Sequence, residues 1–526
     1  MQGVLHVIDL QTNIRVAVHF SSRSLERFIK SNEVLAKLDT SHLPANARAL
    51  LLCERALELK ERGEFDAARE VMRPLWPQLG QRPNTEGLNP VTTAEVLLCA
   101  GVLTSWIGGQ NQIKEADDWA RDCLTESMRI FETEKDAKKV AQVQTEIAYC
   151  YRRAGALDEA RIWFINALQK LIIEGNARAN ALLGLSVVEW SLARYDEAFE
   201  ILTDNARLFR KINSHSLKGF YHNQLAMVLR SVAPSHNREA YYKRALREYE
   251  AAEIEFKLAR NTLFRADVNN NRGFLLYKLS RFRQAHQFLN EARRLALVVR
   301  NKVVVAQIDD TRAQVFIAEK KYTEAEAVAR AAAASLRKSG HLGLLIDTLI
   351  THGIALARLS KREKAEFNFR EGIEIAHQIG VLSKAGIASL TLIEEIDRLP
   401  PDVLAHAYQQ AAEWMSNCQS EALLSRFRQA GSKLALELLR EKGTKHAPTL
   451  FNMPIDLDNE VLMFERELIR QALAKVEGGS VVDAAKWLGI SYQLLAHRIR
   501  TKHPELDKVR SPVRRRPGRN IGKRRK

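Results

Sequence analysis

The sequence is poor in the residues that break helices. Its 526 residues include only 13 prolines and 25 glycines, while alanine, leucine, arginine and glutamate dominate, a balance that favours helices. Because 46% of the residues are hydrophobic, there is enough apolar side chain to exclude disorder for most of the chain. A chain of this length exceeds one compact core, so we expect several modules or a stacked repeat array.

Cysteine is also scarce, and long apolar runs are absent. The five cysteines form no CxxC pair and sit within helical patterns, which favours structural thiols in a reducing compartment over disulfides or a zinc site. The N-terminus has no basic start followed by an unbroken apolar run. No stretch of about 18 consecutive apolar residues occurs. We therefore expect a soluble, cytoplasmic protein without a membrane partner.

Catalytic motifs are missing as well. There is no GxxxxGK[ST] loop, because the GGQNQIKE segment near Gly108 lacks the second glycine and the Lys-Ser pair. Neither HExxH, GxSxG nor the protein-kinase set occurs. Histidines inside the repeats, His222, His286 and His352, fit packing or surface positions better than ligand positions. We expect no enzyme activity, no cofactor and no metal site.

What the sequence does have is a repeat. Stretches that begin at Asn271, Thr311 and Thr351 each place an apolar residue three positions after a small one, and an alanine after the polar turn that follows. Each of these positions recurs every forty residues. The small residues are Gly273, Ala313 and Gly353, the apolar residues are Leu276, Phe316 and Leu356, and the alanines are Ala285, Ala325 and Ala365. Self-similarity at a fixed period indicates an array of stacked units.

The clearest copy is IAYCYRRAGALDEARIWFINAL. Its residues Ala148, Tyr151, Gly155, Ala160, Phe164 and Ala167 fall at the spacing of the tetratricopeptide pattern, which this stretch closely resembles. Small residues let two antiparallel helices approach, the glycine closes the first helix with a left-handed turn, and the aromatics fill the groove between hairpins. Weaker copies centre on Ala68, Ala116, Ala198 and Ala245.

The resemblance predicts an all-α solenoid of tetratricopeptide-like hairpins over residues 47–440. It would contain eight hairpins from about Ala47 to Ala376 and a degenerate ninth pair around Leu404 to Leu439 as a cap. HEAT-like arrays have periods of about 40 and remain an alternative, whereas a WD40 propeller needs strands. Such arrays present a concave surface to a protein or peptide ligand. The alternative is that the repeat array is only a spacer.

The N-terminal segment, residues 1–46, has a different pattern. Ile14, Val16, Val18 and Phe20 alternate, which predicts a strand or short hairpin. A following amphipathic helix is expected from Ser22 to Leu38.

Composition changes again at residues 441–456, where Gly443, Pro448 and Pro454 indicate a linker. Three helices are predicted beyond it. Phe464, Leu468, Ile469 and Leu473 share one side of the first helix; Ser480 caps the second. Gly489 supplies a tight turn with positive φ, Ile490 fills the corner, and Ser491 caps a third helix with Leu494, Leu495 and Ile499 inward. Two short helices across a glycine turn are typical of a helix-turn-helix.

Residues 457–503 resemble the Fis-type DNA-binding module found at the C-termini of NtrC-like activators. The matching residues are Glu465, Leu468, Ile469, Ala472, Leu473, Gly478, Gly479, Ala484, Ala485, Leu488, Gly489, Ile490, Ser491, Leu495 and Arg498. The resemblance implies a homodimer formed before and within the Glu460–Val476 helix. It also implies major-groove contact by Ser491–Thr501.

The sequence departs from that module at the start of the recognition helix. The module often has Arg then Thr there, but this chain has Tyr492, Gln493 and Leu494, so a bidentate guanine contact is missing. Gln493 is expected to read adenine, and His497, Arg498, Arg500 and Lys502 to contact phosphates. With Ser491, these are the expected DNA-binding residues of the helix.

Positive charge concentrates at the C-terminal end. The net charge is +17, of which +11 falls between Arg498 and Lys526. This favours nucleic acid over an anionic membrane as partner, a solvated tail without a ligand being the alternative. Residues 504–526 are expected to be disordered. Their arginines Arg514, Arg515, Arg516 and Arg519 would anchor on phosphates or follow a minor groove.

Two functions follow from this organisation. The first is a transcriptional regulator that binds double-stranded DNA while the array binds a protein or peptide. The second is a non-enzymatic scaffold whose C-terminal helices serve for dimerisation alone.

Overall fold

The computed structural model describes residues 3–8, 15–20, 43–397, 399–415, 421–441, 457–476 and 480–508. The helix expected over Ser22–Leu38, most of the linker and the arginine-rich tail beyond residue 508 lie outside these ranges.

The first described element is a β-hairpin. Strand β1 (Gly3–Ile8) pairs antiparallel with β2 (Arg15–Phe20), and Gly3 lies opposite Phe20 while Ile8 lies opposite Arg15. The alternating residues Val16, Val18 and Phe20 lie on β2, so the predicted strand is confirmed. Every other regular element in the described ranges is helical.

From residue 45 the chain forms antiparallel helical hairpins. The compact unit that ends at Glu319 contains α1 (Ala45–Glu61), α2 (Phe65–Met72), α3 (Pro90–Asn111), α4 (Ala116–Thr133), α5 (Ala137–Arg153), α6 (Leu157–Lys170), α7 (Asn176–Ser191), α8 (Tyr195–Asp204), α9 (Ala206–Lys211), α10 (His215–Ser231), a 3-10 turn (Ser235–Asn237), α11 (Arg238–Leu258), α12 (Thr262–Lys278), α13 (Phe282–Val298) and α14 (Lys302–Ala318). The helical repeats predicted from the sequence are confirmed.

The second compact unit contains the remaining helices. These are α15 (Tyr322–Ser339), whose last turns group with the first unit, α16 (Leu342–Arg358), α17 (Arg362–Gln378), α18 (Leu382–Glu395), α19 (Pro401–Met415), α20 (Glu421–Glu441), α21 (Leu457–Lys475), α22 (Val481–Trp487), α23 (Tyr492–Lys502) and a 3-10 turn (Pro504–Lys508). The predicted capping pair around Leu404 to Leu439 corresponds to α19 and α20. The sequence reading missed α18, which packs against both α17 and α19.

Turns in the regular part of the array recur every twenty residues. Positive φ values occur at Arg260, Ser280, Arg300, Lys320, Gly340, Ser360 and Gly380. Each residue ends one helix in the left-handed conformation that lets the next helix fold back. The forty-residue period is therefore two equal units of helix plus turn, which explains why it exceeds the usual tetratricopeptide length of about 34.

Small residues set the distance between the helices of a hairpin. A Cβ on Gly273 would lie 2.5 Å from Leu289, and one on Gly353 would lie 2.6 Å from Phe369. Leu289 and Phe369 are fully buried. Burial of one such side chain contributes about 1.5–3 kcal/mol. Replacing either glycine would push the two helices apart and expose that side chain.

Helix α3 is unusually apolar. It is the one helix among the described residues that is long and hydrophobic enough to cross a membrane by composition. However, 72% of its most apolar 18-residue window is buried within the protein. Its Val96, Leu97 and Leu103 belong to the core, as expected for the central helix of a packed array.

Candidate functional site

The three C-terminal helices pack around a small core of their own. Ile469, Leu473, Ala484, Leu495 and Ile499 are buried in it. The cap predictions are confirmed, because Ser480 Oγ accepts from the Asp483 amide and Ser491 Oγ accepts from the Leu494 amide. Gly489, between α22 and α23, has a φ of +65° as predicted. The arrangement leaves one side of α23 open to solvent.

Most of the expected DNA-binding residues of α23 lie on that open side. The exposed ones are Ser491, Tyr492, Gln493, Leu494, His497, Arg500 and Lys502. The predicted inward position of Leu494 is wrong: it is 40% exposed, and Ala496 is buried instead. The tail residues Arg514, Arg515, Arg516 and Arg519 lie outside the described residues.

Arg498 is held inside the module. Its guanidinium bonds Glu465 of α21, whose carboxylate also lies 4.0 Å from Lys502 Nζ and 3.5 Å from His503 Nε2. His503 is buried and Glu465 is mostly buried. Glu465 therefore ties α21 to the end of α23. Sequence reasoning matched Glu465 to the family but gave it no role, because the contact joins residues 33 positions apart.

The first helix of the module has a second apolar face that nothing in the described chain covers. Val461, Met463, Phe464 and Leu468 are between 42% and 53% exposed. Of the four residues predicted to share one side of this helix, Phe464 and Leu468 are exposed and the other two are buried. Ile469 and Leu473 point inward, whereas the exposed four form an apolar surface, which we call the α21 face. Contiguous exposed apolar side chains are typical of an interaction surface.

The array offers a second candidate site along the first helices of successive hairpins. Tyr149 Oη donates to Asn180 Oδ1 at 3.1 Å, and Asn180 Nδ2 donates to Glu146 at 3.2 Å. Farther along, Asn271 Nδ2 donates to Asn223 Oδ1 at 3.1 Å. Half-buried amides can both donate to and accept from a peptide backbone.

Charged and aromatic side chains lie on the same helices as Asn223 and Asn271. Arg230 lies 4.9 Å from the centroid of Phe274, and Lys278 lies 5.1 Å from the same ring. Burial raises the pKa of Asp267 to about 7. We call the surface formed by Glu146, Tyr149, Asn180, Asn223, Asp267, Asn271 and Phe274 the first-helix face. Sequence reasoning missed it, although the polar run Asn269–Asn271 inside an apolar helical pattern was a signal.

The cysteines show no reactive arrangement in the described chain. Cys53, Cys99 and Cys150 are buried, free thiols. Burial raises the pKa of Cys150 to about 11, which keeps it protonated near neutral pH. No group of three His, Cys, Asp or Glu side chains that could hold a metal ion occurs among the described residues.

No protein-family model matches the chain, and no curated protein sequence matches it.

Solved structures resemble the chain at low identity. A Rap protein complexed with competence and sporulation factor is 13% identical, covers 68% of this chain and 94% of its own, and has a TM-score of 0.46. A signal-transduction ATPase with a tetratricopeptide repeat sensor from Pyrococcus horikoshii is 14% identical over 70% of this chain and 55% of its own, with a TM-score of 0.46. The quorum sensor NprR from B. thuringiensis, in its apo form, is 14% identical over 67% and 93%, with a TM-score of 0.43.

Proposed function

We propose that this protein is a cytoplasmic, non-enzymatic transcriptional regulator that binds double-stranded DNA through a Fis-type helix-turn-helix formed by α21, α22 and α23. In this proposal the repeat array binds a protein or peptide ligand that changes DNA occupancy. The basic tail adds phosphate contacts that do not depend on sequence.

The observation that carries the proposal is the open side of α23. A helix that follows a glycine turn displays Tyr492, Gln493, His497 and Arg500 to solvent. Residues in the first turns of such a helix can reach base edges in a major groove, while the later cations reach phosphates. A side chain already bonded within the module, such as Arg498, is less available for this purpose.

The α21 face supports the proposed homodimer. Two copies of Phe464 and Leu468 would bury one another, and the dimer would present two copies of α23 to the DNA. Two-fold symmetry would place these helices one helical turn of DNA apart, about 34–36 Å.

The test is binding of the full-length protein to a mixed-sequence duplex at several salt concentrations. We expect measurable affinity at about 50 mM salt that falls steeply by about 200 mM. Arg500→Ala should weaken binding and reduce the slope of log affinity against log salt by about 1. Arg470→Ala, an equal loss of charge on α21, is the matched control and should leave the slope unchanged. Absence of duplex binding at low salt would overturn the proposal.

A second candidate is a scaffold in which α21 to α23 serve for dimerisation alone. The observation that favours it is the bond between Arg498 and Glu465, which gives the family-matching arginine a structural task. The scaffold predicts that Leu468→Glu abolishes self-association in a protein with no duplex affinity at any salt concentration. The regulator predicts that the same change weakens both properties together.

A further inference from the structure

At one position of the forty-residue repeat, each side chain carries a buried nitrogen atom that has no hydrogen-bond partner. Arg272, Arg312 and His352 stand forty residues apart, each one place before the small residue of its first helix. The buried atoms Arg272 Nε, Arg312 Nε and His352 Nε2 have no hydrogen-bond partner. Arg272 stacks 4.0 Å over Phe288, and Arg312 bonds Asp309 at 2.8 Å. At the first position the guanidinium therefore packs on the second helix of its hairpin, and at the second position it pairs with a carboxylate of its own helix.

At the third position the side chain is shorter, and a cavity of about 480 Å³ lies there. It is lined by side chains from α15, α16 and α17, including His352, Glu326, Phe367 and Asn368. We attribute the cavity to the replacement of a guanidinium by an imidazole. The volume is in the range of small-ligand pockets, which span about 300–1,000 Å³.

The orientation of His352 is fixed by its neighbours. Asn368 Nδ2 donates to the Lys364 carbonyl at 2.7 Å, so Asn368 Oδ1 faces His352 Nδ1 at 3.0 Å and accepts from it. Nδ1 therefore carries the proton, and Nε2 presents a lone pair 3.5 Å from Glu326 Oε1. His352 Nε2 and the Glu326 carboxylate are both hydrogen-bond acceptors, so their contact is unfavourable until a proton lies between them.

The cavity is positively charged at its mouth. Arg330 Nε lies 3.2 Å from Glu326, which neutralises the one carboxylate in the lining. Lys361 and Lys364 are exposed, and neither ammonium has a carboxylate partner among the described residues. Phe367 is 65% exposed beside them. Two free ammonium groups next to an exposed ring suit an anionic ligand that also carries an apolar group.

We propose that this cavity binds an acidic peptide segment, with its carboxylates on Lys361 and Lys364 and an apolar side chain against Phe367, and that His352 takes up a proton as the segment binds. The proposal rests on the proposed ligand-binding role of the array and assigns it a site formed by α15, α16 and α17. A peptide is the favoured occupant because it also carries backbone N–H groups. One of these can donate to the Glu326 carboxylate once Arg330 leaves Glu326 to pair with a carboxylate of the peptide.

Proton uptake follows from the groups around the imidazole. Glu326 and Arg330 face His352 from α15, and Asn368, Lys364 and Lys361 face it from α17 and the turn before it. Burial lowers the pKa of His352, so the free protein holds it neutral. An anion at the two lysines favours the imidazolium, whose Nε2 then donates to Glu326. Binding is therefore tighter at pH 6 than at pH 8.

Calorimetry with the full-length protein tests the proposal. The probe is the acetylated, amidated peptide Glu-Glu-Phe-Glu, and its matched control is Gln-Gln-Phe-Gln. We expect the acidic probe alone to bind, with proton uptake at pH 7 measured from titrations in two buffers of different ionisation enthalpy. Lys361→Gln with Lys364→Gln should weaken binding roughly three- to tenfold. Lys338→Gln, an exposed lysine elsewhere on α15, should not.

His352→Arg supplies the decisive variant. It restores the residue type that the array has at positions 272 and 312, so the variant should fold and its arginine should fill the cavity. We expect it to lose both binding of the acidic peptide and the proton uptake. His352→Gln, which keeps the cavity, should retain weaker binding without proton uptake. Three outcomes would each overturn the proposal. They are equal binding of both peptides, unchanged binding of the acidic probe by His352→Arg, and tighter binding of AMP, an anion with an apolar ring that is not a peptide, than of the acidic probe. Duplex binding measured on the same samples separates this outcome from failure of the regulator proposal.

Discussion

At the residue scale, Glu465 and Arg498 show how one charge pair can hold a small module together. The pair joins two helices whose shared core contains few large side chains. A partly buried carboxylate that loses its cation is left with an uncompensated desolvation cost. The same arginine matches a family of DNA-binding modules in sequence, so structure and sequence suggest different tasks for it.

We expect Arg498→Ala and Glu465→Ala each to destabilise the module by about 1–3 kcal/mol, because each removes the charge-assisted bond that joins α21 to α23. The double variant should cost little more than Glu465→Ala alone, since that change already removes the contact with Arg498. Hydrogen exchange of the α21 and α23 amides in the full-length protein measures this. Arg500→Ala is the control and should leave exchange unchanged; additive effects would contradict the assignment.

Asp267 predicts a pH dependence of stability. Burial raises its pKa in the folded chain to about 7, above the ordinary aspartate value, so the folded state binds the proton more tightly than the unfolded state. The stabilisation from this group is complete below the ordinary pKa and is lost as pH rises through about 7. Asp267→Asn stays neutral, so its melting temperature relative to the parent should increase from pH 5 to pH 8. Asp204→Asn, at an exposed position, should show no such trend.

At the element scale, the left-handed turns determine how each helix folds back on the one before it. Ser280, Lys320 and Ser360 adopt positive φ without being glycine, whereas Gly340 and Gly380 occupy equivalent turns. A left-handed conformation costs an L-residue roughly 1–2 kcal/mol.

Glycine at these turns should therefore stabilise the array. We expect Ser280→Gly and Ser360→Gly each to raise the free energy of unfolding by about 0.5–1 kcal/mol, the relief of strain being partly offset by chain entropy. Gly340→Ala should lower it. Urea unfolding followed by circular dichroism measures these changes. Ser280→Ala, which removes the hydroxyl and keeps the strain, should have little effect; a gain from it would point to the side chain instead of the backbone.

The α21 face gives a second prediction at this scale. Leu468→Glu places a charge on an apolar surface that the proposed dimer buries, so self-association should weaken at least tenfold, which corresponds to about 1.4 kcal/mol. Analytical ultracentrifugation of the full-length protein measures it. Ala474→Glu changes an exposed residue of the same helix and should leave association intact. A parent protein that is monomeric at all concentrations would refute the dimer.

At the scale of the whole molecule, contacts between distant repeats add to those between neighbours. Asn261 is fully buried; its Nδ2 donates to the Glu61 carbonyl, 200 residues earlier, at 2.7 Å, while its Oδ1 caps α12 at the Phe264 amide. Trp106 also lies 6.1 Å from Phe264, centroid to centroid. In the first unit, the earliest hairpins therefore rest on the start of α12.

Asn261→Ser should break this long-range bond and keep the cap, because serine caps helices but is too short to reach Glu61. Loss of this part-buried hydrogen bond should cost about 0.5–1.5 kcal/mol. We expect faster hydrogen exchange in α1 and α2 and no change in α16. Asn301→Ser, forty residues later, removes only a local cap amide and serves as control. Equal effects of the two variants would show that capping alone matters.

The sequence by itself determined the helical repeat, its forty-residue step and the caps at Ser480 and Ser491. These features depend on neighbours within about a turn or one hairpin, so their signal is local in the chain. It also indicated the linker and the three helices after it. Their assignment to DNA binding remains a proposal, because an exposed helix surface carries no signature of the partner it meets.

Only the tertiary structure decided which apolar residues are covered. Leu468 and Ile469 are adjacent and similar, yet one is exposed and the other buried, because the phase of a helix is set by the helices that pack on it. The bond from Asn261 to Glu61, the role of Glu465 and the cavity beside His352 likewise join residues distant in sequence or depend on unfilled volume. The periodicity of the sequence indicates which side of a helix is apolar, whereas tertiary contacts determine which residues cover that side.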